Sequence, residues 1–170
     1  MKAFLQVGMV LAFSFSLPFS CNKTIETKDG EIRSNGKLYL KGSTKPHSGK
    51  VLEYHDAKKE KMKSRLRYKK GVLQGKSEYW YPNGKQEAVK HYANGKLSGT
   101  LEEWFNDGNP KKKEEWLNGK RHGEWQTWKE DGKPKQAGIC ENGTDVEVYD
   151  FYKDGSKHLR FRKSAEESED

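Results

Sequence analysis

Tyr92-Ala93-Asn94-Gly95-Lys96-Leu97-Ser98-Gly99 is followed 24 residues later by Trp116-Leu117-Asn118-Gly119-Lys120-Arg121-His122-Gly123, and preceded 24 residues earlier by Tyr68-Lys69-Lys70-Gly71-Val72-Leu73-Gln74-Gly75. An aromatic residue, a reversal ending in glycine and a second glycine thus recur as a unit, and Asn142-Gly143 continues the first glycine series. Self-similarity at this period marks stacked supersecondary units, none of which buries its apolar face alone. Between these reversals lies another set, Asn83-Gly84, Asp107-Gly108, Asp131-Gly132 and Asp154-Gly155. Such dipeptides favour positive φ at both central positions of a tight hairpin turn. Each unit therefore turns twice, about eight to twelve residues apart, which suits strands and excludes helices. The expected fold is all-β, an elongated single-layer antiparallel meander of consecutive hairpins with turns at Gly71, Gly84, Gly95, Gly108, Gly119, Gly132, Gly143 and Gly155. Gly75, Gly99 and Gly123 form a third series, which Gly49 joins if the opening unit is two residues longer.

Aromatic residues fall into columns between the turns. Tyr54, Trp80, Trp104, Trp128 and Phe151 hold one position of the first strand, and Tyr68, Tyr92, Trp116 and Cys140 one position of the second. Stacked across strands about 5 Å apart, the first column is expected to form a continuous structural ridge and the core. Trp125 and Trp128, three residues apart, break strict alternation and predict a bulge or kink in their strand.

Glycine, three residues, glycine, then an apolar strand ending in aromatic, Asn or Asp, Gly-Lys resembles the MORN repeat in its bacterial variant. The match runs through Trp80-Tyr81-Pro82-Asn83-Gly84-Lys85 and the three segments quoted above. The lead-in from Leu38 to Val51 resembles the entry segment of the YwqK-type group, whose members carry an antitoxin label. This resemblance covers residues 38 to about 160. It implies the hairpin fold and, for function, a binding protein or a neutraliser of a toxic partner. The terminal units depart from the pattern, as capping units commonly do.

Residues 1–20 carry one basic residue, Lys2, and an apolar run from Ala3 to Phe19, which reads as a signal peptide. Ser20-Cys21 resembles a bacterial lipoprotein cleavage site, with Cys21 as the acylated residue, although Pro18 stands where an aliphatic residue is usual. Residues 21–36 have few apolar groups and are expected to be a flexible lipidated tether to the repeats of residues 37–163. Residues 164–170 form an acidic tail expected to be disordered. The implied location is the cell envelope, anchored to a membrane by lipid and not spanning it. A neutraliser in this setting would be an envelope-located immunity protein. With Cys21 lipidated no intrachain disulfide is possible, and Cys140 reads as a small buried apolar side chain.

The formal charge is +8, yet without Lys2 and the acidic tail 32 basic residues face 21 acidic ones. Such a field favours anionic partners. The densest cluster runs from Lys58 to Lys70, where Lys61, Lys63, Arg65 and Arg67 are expected on one strand face and Met62, Leu66 and Tyr68 on the other. That strand either binds an anionic surface or guards a sheet edge against pairing. Export argues against nucleic acid as the partner, and no nucleic-acid motif is present.

No enzyme is expected. The five histidines are scattered at spacings that place no two on one metal, so neither a metal nor a cofactor is expected. Gly71 to Ser77 looks like a phosphate loop, but it is one residue short, and the next units replace its Lys-Ser pair. The repeats use nearly all of the chain, and a single-layer sheet lacks the enclosed, water-excluding pocket that catalysis needs.

Overall fold

The computed structural model describes residues 23–164. The segment expected to be a signal peptide, Cys21 and the acidic tail from Ala165 onward lie outside the described residues. Those described form, in order, β1 (Lys23–Glu26), β2 (Gly30–Ile32), β3 (Leu38–Leu40), β4 (Gly49–Tyr54), β5 (Met62–Lys69), β6 (Val72–Leu73), β7 (Gly75–Trp80), β8 (Gln86–Ala93), β9 (Lys96–Trp104), β10 (Pro110–Leu117), β11 (Lys120–Trp128), β12 (Pro134–Glu141), β13 (Thr144–Phe151) and β14 (Lys157–Arg162). One open sheet runs β1-β4-β5-β7 and then consecutively to β14, with the short β6 paired to β5. All its pairs are antiparallel except β1 with β4, and β2 and β3 form a separate ribbon. The fold is the expected single-layer meander of hairpins.

The two sets of reversals differ in geometry. At Asn94-Gly95, Asn118-Gly119 and Asn142-Gly143 both residues have positive φ, asparagine at 51° each time, as the turn chemistry requires. At Asn83-Gly84, Asp107-Gly108, Asp131-Gly132 and Asp154-Gly155 only the glycine does, contrary to expectation. The Asx side chain there accepts the backbone N–H two residues on (Asn83 Oδ1 from Lys85 at 3.0 Å), and Gly84 N–H donates to Tyr81 O at 2.9 Å. This is a type I turn closed by a glycine bulge, which needs left-handed backbone at one residue only. The two-residue turns also bond to the preceding unit. Gly71, Gly95, Gly119 and Gly143 donate to the carbonyls of His47, Leu73, Leu97 and Arg121 at 2.7–2.9 Å.

A bulge recurs with the repeat. Glu53 pairs with Ser64 but Tyr54 with Met62; Tyr79 with Ala88 but Trp80 with Gln86; Glu103 with Lys112 but Trp104 with Pro110; Thr127 with Gln136 but Trp128 with Pro134. Lys63, Glu87, Lys111 and Lys135 are thus left out of the ladder, and all four are exposed. Between Trp125 and Trp128 the irregularity lies in the facing strand β12, while β11 itself bulges against β10 just before Trp125, Arg121 to Trp125 spanning only Trp116 to Glu114. In β11 the two tryptophans simply alternate onto opposite faces.

The aromatic ridge does not form the core. Equivalent residues of successive hairpins sit on alternate strands, so the separation is about 10 Å and not the 5 Å of neighbouring strands. Trp80, Trp104 and Trp128 are half-buried, and among the described residues the ring pair in contact is Tyr152 with His158, at 6.0 Å. Cations cover rings instead: Arg65 over Trp80 at 5.4 Å, Lys90 over Tyr79 at 5.2 Å, Arg121 over Trp125 at 5.0 Å. The most buried positions lie on the opposite, first face, in a row that includes Val51, Ser77, Leu101, Glu114, Trp125 and Gly138. The second column also faces that way. Tyr68, Tyr92, Trp116 and Cys140 pair directly with Gly49, Gly75, Gly99 and Gly123, which assigns Gly49 to the third glycine series. A Cβ at Gly75, Gly99 or Gly123 would meet Arg67, His91 or Glu115 respectively, so the bare glycines make room for those side chains. Cys140 is fully buried, its Sγ donating to Arg121 O at 3.3 Å.

The tether expected over residues 21–36 is also corrected. From Lys23 the chain is β1, paired in register with β4, then a 3-10 turn and β2. One apolar residue decides the outcome. Ile25, 6% exposed, joins Leu38 and Val51 in a small core against which Leu40, Leu66 and Tyr68 pack.

Candidate functional site

Alternation along the strands puts Lys50, Arg65, Arg67, Lys69 and Lys76 on the second face of β4, β5 and β7, with Glu78 and Trp80. Of the four cations singled out in the sequence, two remain together there. Lys61 precedes β5, its amide held by Asp56 Oδ2 at 3.0 Å. Lys63 is the bulged residue, and the slip brings its ammonium to Glu53 at 3.0 Å. Arg65 pairs with Glu78 at 3.2 Å, and Lys76 reaches the same carboxylate at 2.8 Å. Burial alone would push the Glu78 carboxyl up, but Lys76 and Arg65 outweigh it and hold the group below its ordinary value. Arg67 is exposed and stands directly across from Lys50.

Lys50, Arg67 and Lys69 make no ion pair among the described residues. Like charges facing each other across a ladder are unfavourable, and an anion laid over them relieves the repulsion. Lys69 belongs to the Lys58 to Lys70 cluster but was not among the four cations singled out, and Lys50 escaped the sequence reading, although a signal existed: Gly49 opposite Tyr68 forces Lys50 opposite Arg67. Nor is β5 the guarded edge weighed above, since it lies between β4 and β7.

Further along the same face the charge reverses. Alternation places His91, Glu115, Glu124, Ile139 and Glu147 on it; the ladder slips register beside His91 and beside Glu115, and Glu124, Ile139 and Glu147 stand directly across from one another. Glu147 is held below its ordinary value by the Tyr149 hydroxyl, at 2.8 Å, and by Arg162, at 2.8 Å. Among the described residues no three His, Cys, Asp or Glu side chains converge as metal ligands, and no helix is long and apolar enough to cross a membrane. No known family matches the chain, and no curated protein does.

Proposed function

We propose that this chain is a non-catalytic lipoprotein of the cell envelope, whose repeat sheet is held edge-first on an anionic membrane surface and presents the rest of its length to a protein partner. The observation that carries the reading is the register Thr24, Lys50, Arg67 across β1, β4 and β5. Cys21 precedes Thr24 by three residues, so a lipid there would lie within about 10 Å of β1. The uncompensated cations then stand beside the acyl chains, the two signals that together give stable anchoring. The resemblance of the unit to the MORN repeat supports a sheet used for contact and not for chemistry.

Two variants and one control test this. Cys21→Ala should move the full-length chain from the membrane to the soluble fraction. Lys50→Ser/Arg67→Ser/Lys69→Ser should weaken binding to phosphatidylglycerol vesicles by up to about 100-fold, at about 1 kcal/mol per charge. Lys63→Ser, which removes a cation already paired with Glu53, should change binding little. Parent and Cys21→Ala chains that both stay soluble, or a triple variant that binds vesicles like the parent, would refute the proposal.

A further inference from the structure

The second face carries a groove of about 480 Å³ near the C-terminal end of the sheet, lined by residues of β10 to β14. Its origin is visible in the repeat. Positions 65, 89, 113 and 137 read Arg, Val, Lys and Ala, and positions 67, 91, 115 and 139 read Arg, His, Glu and Ile. Where Arg65 with Arg67 and Lys113 with Glu115 raise long polar side chains, and Val89 is flanked by His91, this unit has Ala137 and Ile139, next to Gly138. The ring of Trp125 packs beneath Gly138, where a Cβ would lie 2.8 Å from it, so the floor is closed. Ile139 is 37% exposed, and Tyr149 forms a wall.

The rim is acidic and only partly neutralised. Glu124, Ile139 and Glu147 stand in register across β11, β12 and β13. The carboxylate of Glu115 leans over Gly123, whose missing side chain makes the space for it. Glu147 is taken by Arg162, Lys113 is drawn to Glu102 at 3.4 Å, and Lys157 lies 4.5 Å over the Tyr149 ring. Glu115 and Glu124 are exposed and make no ion pair among the described residues. An apolar floor beside two unmatched carboxylates fits a side chain with an aliphatic stem and a cationic head.

We propose that this groove receives a lysine or arginine side chain of an extended partner peptide, with the stem on Ala137 and Ile139 and the charged head between Glu115 and Glu124. The site does not depend on the membrane reading. The test titrates the full-length chain by calorimetry with a hexapeptide alternating valine and lysine, and with its glutamate and serine counterparts. The lysine peptide should bind and the other two should not. Glu115→Gln/Glu124→Gln should weaken binding about tenfold, and Ile139→Lys, which fills the groove with a tethered cation, should abolish it. Glu141→Gln, an exposed carboxylate of β12 outside the groove, should leave binding unchanged, as should Lys50→Ser/Arg67→Ser. Equal losses for Glu141→Gln and the Glu115/Glu124 pair would reduce the effect to general attraction and overturn the site. So would full binding by a Glu115/Glu124 variant or an Ile139→Lys variant whose circular dichroism matches the parent.

Discussion

The two ends of the sheet are built from the same hairpin and end up physically opposite. At the N-terminal end β1 covers the edge of β4, and Ile25, Leu38 and Val51 close a small core beneath the β2–β3 ribbon. At the C-terminal end every residue of β14 is exposed, with Leu159 at 38% and Phe161 at 46%. Its cations bend back onto β13, Arg162 to Glu147 and Arg160 to Asp150 at 3.9 Å. The unit itself therefore supplies pairing and twist but almost no enclosed apolar volume. Single side chains such as Leu101 and Cys140 are covered by their neighbours in the sheet, but the apolar cluster lies at the end that brings its own cover.

The sharpest way to break this contrast is to remove matched apolar groups. Ile25→Ala should cost about 2–4 kcal/mol in urea unfolding, as for other large-to-small changes at enclosed sites, while Leu159→Ala should stay within about 0.5 kcal/mol. A tether carrying Ile25 would show no such loss, so similar values at the two sites would restore the expectation drawn from the sequence. A smaller effect comes from equivalent turn glycines. Gly71 (φ +81°) is crowded by Lys37, Leu38 O and Pro46, where a Cβ would meet atoms at 2.8–3.0 Å, whereas Gly143 (φ +95°) has nothing within 4 Å. Alanine should cost about 1 kcal/mol at Gly143, from the left-handed backbone alone, and about 3 kcal/mol at Gly71, where overpacking adds to it. Equal costs would mean that the cap does not press on the first turn.

The smallest effect is on pH dependence and concerns the tyrosines nearer the capped end. Burial, then the neighbouring Tyr92, pushes the Tyr79 phenol well above its ordinary value, and the same causes raise Tyr68. A pKa higher in the folded than in the unfolded chain gives stability that is complete below the unfolded value of about 10 and lost as pH rises through the folded one. Alkaline unfolding should thus begin above about pH 10, and Tyr79→Phe should move its midpoint upward. Tyr152→Phe, at an exposed site on the open end, should not. A midpoint indifferent to Tyr79 would show that this tyrosine ionises without resisting.

Strand, turn and period were legible because each depends on a few neighbouring residues. Where the chain turns was legible, but not the turn type, since Asn94-Gly95 and Asn83-Gly84 are the same dipeptide and only the first has positive φ at asparagine. Less legible was anything that depends on which strand faces which. The bulge at Lys63 removed one of four cations from its expected face, and the pairing of Gly49 with Tyr68 brought Lys50 in. The ridge failed for the same reason: Trp80 and Trp104 are repeat neighbours but not strand neighbours. The groove arises where Ala137 and Ile139 break a pattern, and a pattern's exceptions acquire meaning only once the residues flanking them across the sheet are known. Ile25 was missed because one apolar residue in a polar segment carries no periodic signal.

The bonds from each two-residue turn to the carbonyl of the turn before it carry a constraint on how such a chain can change length. A duplication or loss of 24 residues restores every amide to an equivalent acceptor, whereas any other increment leaves one margin of the sheet out of step with its neighbour. Growth and shrinkage by complete modules should therefore be tolerated far better than a one-residue insertion inside a strand. Elongation would also lengthen the distance between the capped end and the groove while leaving both intact, making reach the property most easily tuned.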